Sequence, residues 1–159
     1  MFAIVPTAIL ALVLTLSQLS GQQFAGTWTC EYFGRTLARL DLQNVNGSVT
    51  GRMSIGYFHV DSDGKLDVVI EEAAVFTPIF DVVLRDGVLS FAKENDGTKD
   101  RYELRVSGDT AKLSFLLTDK AVAAVRASGM GRPQPVTFKR MADYAKAGRK
   151  SWTPPRDED

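Results

Sequence analysis

The sequence predicts an all-β protein: an antiparallel up-and-down meander barrel of about eight strands with a short helix before the last strand. Three observations predict it. Beyond Gln23, apolar and polar residues alternate with a period of two along most of the chain, the mark of strands with one greasy and one wet face. Tight-turn dipeptides separate these stretches: Asn46-Gly47, Asp63-Gly64, Asp86-Gly87, Asp96-Gly97 and the glycine-first Gly108-Asp109. Short strands joined by such turns pair antiparallel, whereas parallel units need long crossovers. Closure into a barrel removes the exposed sheet edges. On pattern alone an open two-sheet sandwich fits nearly as well.

The chain of 159 residues is long enough for one domain. Residues 1–23 carry no charged side chain, and residues 8–16, "AILALVLTL", form an apolar run followed by the polar "SQLSGQQ". That order reads as a secretory signal peptide, placing the protein outside the cytoplasm, secreted or periplasmic. The run is short for a membrane span of roughly 20 residues, so membrane contact is expected only through this signal segment. Cys30 is the only cysteine and cannot form an internal disulfide. Stability must then come from a packed interior, which a chain of this length can build.

The barrel domain is assigned to residues 24–141. On the first strand Trp28, Cys30 and Tyr32 share the inner face. On the second, Ala38, Leu40 and Leu42 point in while Leu37, Arg39 and Asp41 point out. The third places Val49, Gly51, Met53 and Ile55 inward. The rhythm continues with Leu66, Val68 and Ile70; Phe80, Val82 and Leu84; Leu89 and Phe91; Tyr102, Leu104 and Val106; Leu113, Phe115 and Leu117; and finally Val136 and Phe138. Two segments break it. Residues 71–77 lack clean alternation and Pro78 argues against a central strand there, so a bulge or a connection is expected. Residues 119–128, around "KAVAAVRA", have the alanine content and spacing of a short helix, which Gly129 can end. Residues 142–159 form a C-terminal tail that Pro154-Pro155 keeps from continuing as helix.

Charge and motif readings exclude several functions. Nineteen basic residues balance nineteen acidic ones, which is not the footprint of a nucleic-acid binder. His59 is the only imidazole and precedes a turn; no Gly-x-Ser-x-Gly elbow accompanies it, so no nucleophile-base pair is read here. One His and one Cys do not make a closed zinc site. The stretch 61–72, "DSDGKLDVVIEE", has carboxylates at calcium-loop spacings, but its glycine stands at the fourth position and a lysine at the fifth, which reads as a hairpin turn. Glu71 and Glu72 are adjacent, so on a strand they face opposite ways and cannot act jointly. Asn46-Gly47-Ser48 is formally a glycosylation sequon, and its turn chemistry explains it fully. No phosphate-binding glycine loop precedes a helix. The reading is therefore of a non-enzyme with no cofactor and no metal.

A set of short motifs carries a family resemblance: the opening Gly26-Thr27-Trp28, the third-strand Gly47-Ser48-Val49-Thr50-Gly51, then Asp86-Gly87-Val88-Leu89-Ser90-Phe91, the stretch from Tyr102 to Asp109, and the closing Thr137-Phe138-Lys139-Arg140. Across residues 24–140 the chain resembles the lipocalins and the wider calycin group, and most of all small secreted lipocalin-like proteins of bacteria. The Thr-Asp-Tyr motif of typical lipocalins has no counterpart. The resemblance implies a barrel with an apolar ligand. It also implies that the Trp28 indole closes one end, with Arg140 laid across it and Gly26 letting the backbone turn in beneath, a structural role.

Function follows as an expectation. The inward side chains Tyr32, Leu40, Met53, Phe80, Phe91, Tyr102 and Phe115 would hold a small apolar or amphipathic ligand inside the barrel, in a secreted binding module. Their bulk equally fits a filled interior. In that alternative the barrel is solid and residues 119–135 contact another protein.

Overall fold

The computed structural model describes residues 20–141. Most of the expected signal segment and the tail 142–159 lie outside the described residues. A helical turn at 20–22 leads into ten strands and one helix: β1 (Gly26–Tyr32), β2 (Arg35–Val45), β3 (Ser48–Ile55), β4 (Tyr57–Val60), β5 (Leu66–Glu71), β6 (Thr77–Arg85), β7 (Val88–Asn95), β8 (Thr98–Ser107), β9 (Thr110–Leu116), α1 (Asp119–Ala127) and β10 (Val136–Arg140). Eight of the strands close a barrel in the order β1-β10-β9-β8-β7-β6-β3-β2, and every pairing around it is antiparallel.

The turns close as their chemistry dictates. Asn46-Gly47, Asp86-Gly87 and Asp96-Gly97 each hold both residues at positive φ, the hairpin geometry that matches strand twist. Phe33-Gly34 does the same, with φ of 48° and 74°. A phenylalanine carries no turn signal, and this one stands 88% exposed.

The meander is interrupted once. β4 and β5 form a separate two-stranded hairpin. β3 pairs directly with β6, through Arg52 opposite Pro78 and Met53 opposite Thr77. Pro78 thus lies inside a strand, near its first residues, where the loss of one donor is tolerated. Residues 72–76 are the connection. Because β5 lies outside the barrel, its expected face is reversed: Val69 is buried, while Val68 and Ile70 are exposed. Arg35 donates to the Val69 carbonyl at 2.6 Å, and the Gly56 amide donates to Leu37 at 2.8 Å, tying the hairpin back to β2.

Two bulges overturn other face assignments. On β2 the register slips opposite Cys30 and Glu31, so Leu37 and Ala38 are both fully buried, although strict alternation turns Leu37 outward. On β6 the ladder jumps between Phe80 and Val83, with Asp81 at φ 51°. Leu84, opposite Leu89, and Ile79, opposite Lys93, share the inner face. Phe80, opposite Ala92, lies on the outer one. The Lys99 ammonium stands 5.1 Å from the Phe80 ring.

The core runs through the middle of the barrel. Trp28, Leu40, Met53, Leu89, Phe91, Leu104, Leu113 and Phe138 are all sealed from solvent. Cys30 is among them, and burial pushes its thiol up to about 11 with a smaller contribution from Glu31.

Candidate functional site

The strand directions give the barrel two unlike ends. At one end meet the start of β1, the end of β10 and the turn between β8 and β9. Trp28 and Arg140 are cross-strand partners there, and the Arg140 Cζ sits 4.1 Å from the indole. The guanidinium donates to the Gln23 carbonyl at 2.8 Å and also to that of Ala25. Its Nε is 3.5 Å from Asp109. The indole Nε1 donates to the Phe24 carbonyl at 2.9 Å, so no buried donor is stranded. Gly26 has φ of +129°, which favours glycine, and a Cβ there would press on Arg140 Nη1 at 3.0 Å, disturbing the guanidinium that lies across Trp28. Gly26, Trp28 and Arg140 thus come together as a plug.

The opposite end holds a cavity of ≈ 500 Å³. Its inner wall is Ile55, Tyr102 and Phe115; Tyr57 and Phe58 of the hairpin border it, and Ala121 and Val125 of α1 cross over it. The rings form a ladder into the barrel. Phe58 lies 5.5 Å from Phe115, Phe115 lies 5.9 Å edge-on to Tyr102, and Tyr102 stacks at 5.5 Å on Phe91. Such contacts give this side of the cavity a continuous aromatic wall of rings at varied tilt.

Polar and charged side chains share the wall, among them Asn95, Thr98, Lys99, Asp100, Arg101 and Thr118. Tyr102 is 3% exposed, and its hydroxyl has no hydrogen-bond partner among the described residues. Burial, helped by the carboxylate of Asp100, drives its phenol far above the ordinary value, so it stays a neutral donor. Lys99 and Arg101, also on the cavity wall, both engage Asp81 of β6. The Lys99 hydrogen bond, with the charge of Arg101 beside it, holds the Asp81 carboxyl below its usual range. Tyr57 donates to Asp96 at 3.0 Å, which raises its own phenol.

Helix α1 is capped by Thr118, whose hydroxyl accepts from the Ala121 amide at 3.2 Å. None of its residues is buried. Ala121 and Val125, four apart on one face, turn toward the cavity. The connection from α1 to β10 is pinned to the β4–β5 turn: the Gly131 amide donates to Asp61 at 2.8 Å, and the Gln134 amide to Gly64 at 2.8 Å. The Gln134 side chain adds a bond to the Asp63 carbonyl at 3.0 Å. Gly64, at φ +81°, passes so close that a Cβ would lie 1.8 Å from the Arg132 carbonyl oxygen.

Of the residues the alternation assigns to a ligand, Tyr102 and Phe115 line the cavity, and Phe91 supports Tyr102 from behind. Leu40 and Met53 are fully enclosed in the packed middle, Tyr32 stands near the β1–β2 turn against Phe33, and Phe80 is on the outer face. Phe58, Tyr57, Ala121 and Val125 were not foreseen. The "YFHV" run from Tyr57 to Val60 follows β3 after a single residue, so nothing in the pattern separates the two strands. His59 is on the exposed hairpin, 3.3 Å from Asp67. Asp61 Oδ1 accepts from the amides of Asp63 and Lys65, making the 61–65 segment an Asx-type turn. Glu72 accepts from the Thr36 amide at 2.7 Å. Among the described residues no cluster of three or more His, Cys, Asp or Glu side chains is placed to hold a metal, and no helix is long and apolar enough to cross a membrane.

No family model matches the chain, and no curated protein sequence does. Among solved structures, a crystal structure of a mutant of the fluorescent protein UnaG aligns at 12% identity with a TM-score of 0.42, covering 76% of this chain and 97% of the other. At that score the likeness is one of loose outline.

Proposed function

We propose that this protein is a secreted, non-catalytic binding module that takes a small apolar or amphipathic molecule into the open end of its barrel. The observation that carries the reading is the cavity of ≈ 500 Å³ walled by Phe58, Tyr102 and Phe115 and roofed by α1, at the end opposite the Trp28–Arg140 plug. A pocket of this size, with an aromatic face and several polar groups around it, suits a small amphipathic ligand. Secretion rests on the charge-free segment 1–23, and the lipocalin-like motifs favour the same assignment.

Native mass spectrometry of the protein recovered from its producing cells tests the binding. The expected spectrum shows one small molecule lost on unfolding, or uptake of an apolar fluorescent probe at one site. A bare mass together with no probe uptake would refute it. N-terminal sequencing of the extracellular protein tests the compartment; a mature chain beginning near residue 24 is expected. A second reading has its own observation: α1 buries none of its residues, as a contact surface within 119–135 would require. Tight ligand uptake that ignores substitutions on the outer side of α1 counts against it.

A further inference from the structure

The inner wall beside the cavity contains a second, unexplained polar set. Lys93 of β7 faces inward, opposite Ile79 of β6 on one side and Asp100 of β8 on the other. It is 4% exposed. Its ammonium makes a single long hydrogen bond, 3.3 Å to the Glu94 carbonyl, and no carboxylate reaches it at ion-pair distance among the described residues. A lysine has three donors, and one enclosed this thoroughly is normally paired. Two residues from Ile79, on the same face, the Thr77 hydroxyl is buried with no partner at all. Asp100 and Asn95, the neighbours of Lys93 toward the rim, both line the cavity.

Unsatisfied buried polar groups are rare and call for a cause. Here the Thr77 hydroxyl has no partner among the described residues and Lys93, a cation, has one long bond; both lie on the inner face next to a cavity whose wall carries Phe58, Tyr102 and Phe115 together with Asn95, Lys99, Asp100 and Arg101. We infer that the cavity takes an anionic amphiphile, its apolar body along the Phe58–Phe115–Tyr102 ladder and its acidic head on Lys93 and Thr77. This deepens the binding reading above and rests on it. The groups acting on the ammonium are the Glu94 carbonyl, which it bonds, and the carboxylates of Asp100, opposite it on β8, and of Asp96. Burial lowers the ammonium's pKa, and the two carboxylates pull it back up. Asp100 therefore has two effects: it keeps Lys93 charged, and it repels an incoming anion. The head group is accordingly expected to bear a single charge.

Two probes that share one ring body separate the head group from the rest: anilinonaphthalene sulfonate, which is anionic, and phenylnaphthylamine, which is not. The full-length protein should bind the sulfonate more tightly than the amine by fluorescence titration. Lys93→Met should weaken the sulfonate by about tenfold or more, the value of a lost charged hydrogen bond, and leave the amine within about twofold. Asp100→Asn should strengthen the sulfonate and leave the amine unchanged. The ligand-free Lys93→Met protein should melt higher than the wild type, since an enclosed, poorly partnered charge has been removed. Equal binding of both probes, with neither variant changing their ratio, overturns the head-group inference and leaves the cavity reading standing. Binding of neither probe overturns both.

Discussion

Replacing Arg140 by alanine should destabilise the protein by about 2–4 kcal/mol. The cation over the Trp28 ring contributes about 0.5–2 kcal/mol. The bonds to the Gln23 and Ala25 carbonyls are charged-donor bonds worth about 1.5–3 kcal/mol each when fully buried. A quarter of the Arg140 side chain stays exposed, so water compensates part of that loss. The contact with Asp109 adds almost nothing, because that side chain is 90% exposed. Against a total stability of about 5–15 kcal/mol for a domain of this kind, the loss is large. The assay is urea unfolding followed by tryptophan emission. The chain has two tryptophans, so a Trp152→Phe background isolates Trp28. The midpoint should fall by about 1–2 M urea with an unchanged slope. Arg140→Lys, which keeps the charge and loses the fork, should fall between the two. Asp109→Asn should stay within about 0.5 kcal/mol of the parent. An Arg140→Ala midpoint equal to the parent's, or a lysine variant as stable as arginine, would refute the plug as described.

Three further outcomes follow from the geometry. Ala121→Trp, which points a large ring from α1 into the cavity, should abolish probe uptake in fluorescence titration while leaving the melting temperature nearly unchanged, since no α1 residue is buried. Gly64→Ala should cost more than about 1 kcal/mol, from its positive φ and its closeness to Arg132, and hydrogen exchange at the Gly131 and Gln134 amides should quicken more than exchange in the barrel. The Cys30 thiol, at about 11 in the fold against an ordinary 9.0, makes stability alkali-sensitive: it is intact below pH 9 and declines as pH rises toward 11, because the unfolded chain loses the proton first. The thiol's share is about 2–3 kcal/mol, and Cys30→Ala should flatten that part of the decline in urea melts collected across the range.

Much of the barrel was legible because its strands obey a local rule. The Asn-Gly and Asp-Gly pairs set their own turn geometry, and Trp28, Leu40, Tyr102 and Leu113 keep the face that alternation assigns. What could not be read is the set of places where long-range pairing outweighs the local pattern. The bulge at Asp81 turns Phe80 outward, and nothing within that strand announces it; only the ladder to β7 imposes the slip. The slip on β2 brings Leu37 inside in the same way. Val68 and Ile70 alternate as well as any core strand, yet the direct pairing of β3 with β6 leaves their hairpin outside the barrel. The site divides along the same line. Tyr102 and Phe115 were found by periodicity, while Phe58 and α1 reach the cavity through tertiary placement. Lys93 looks like an ordinary polar residue until its neighbours Ile79 and Asp100 fix its side.

The tethering of the 131–134 backbone to the 61–64 corner has a kinetic corollary. Two segments distant in sequence are fastened together beside the open end, and the far end is closed by the Trp28 indole, so on the binding reading proposed above a guest has a single doorway. On that reading the fastening stiffens the rim where Pro133 borders the cavity, and a stiffer rim slows entry and exit alike. Loosening the fastening should quicken arrival and departure together, leaving the equilibrium between them little changed.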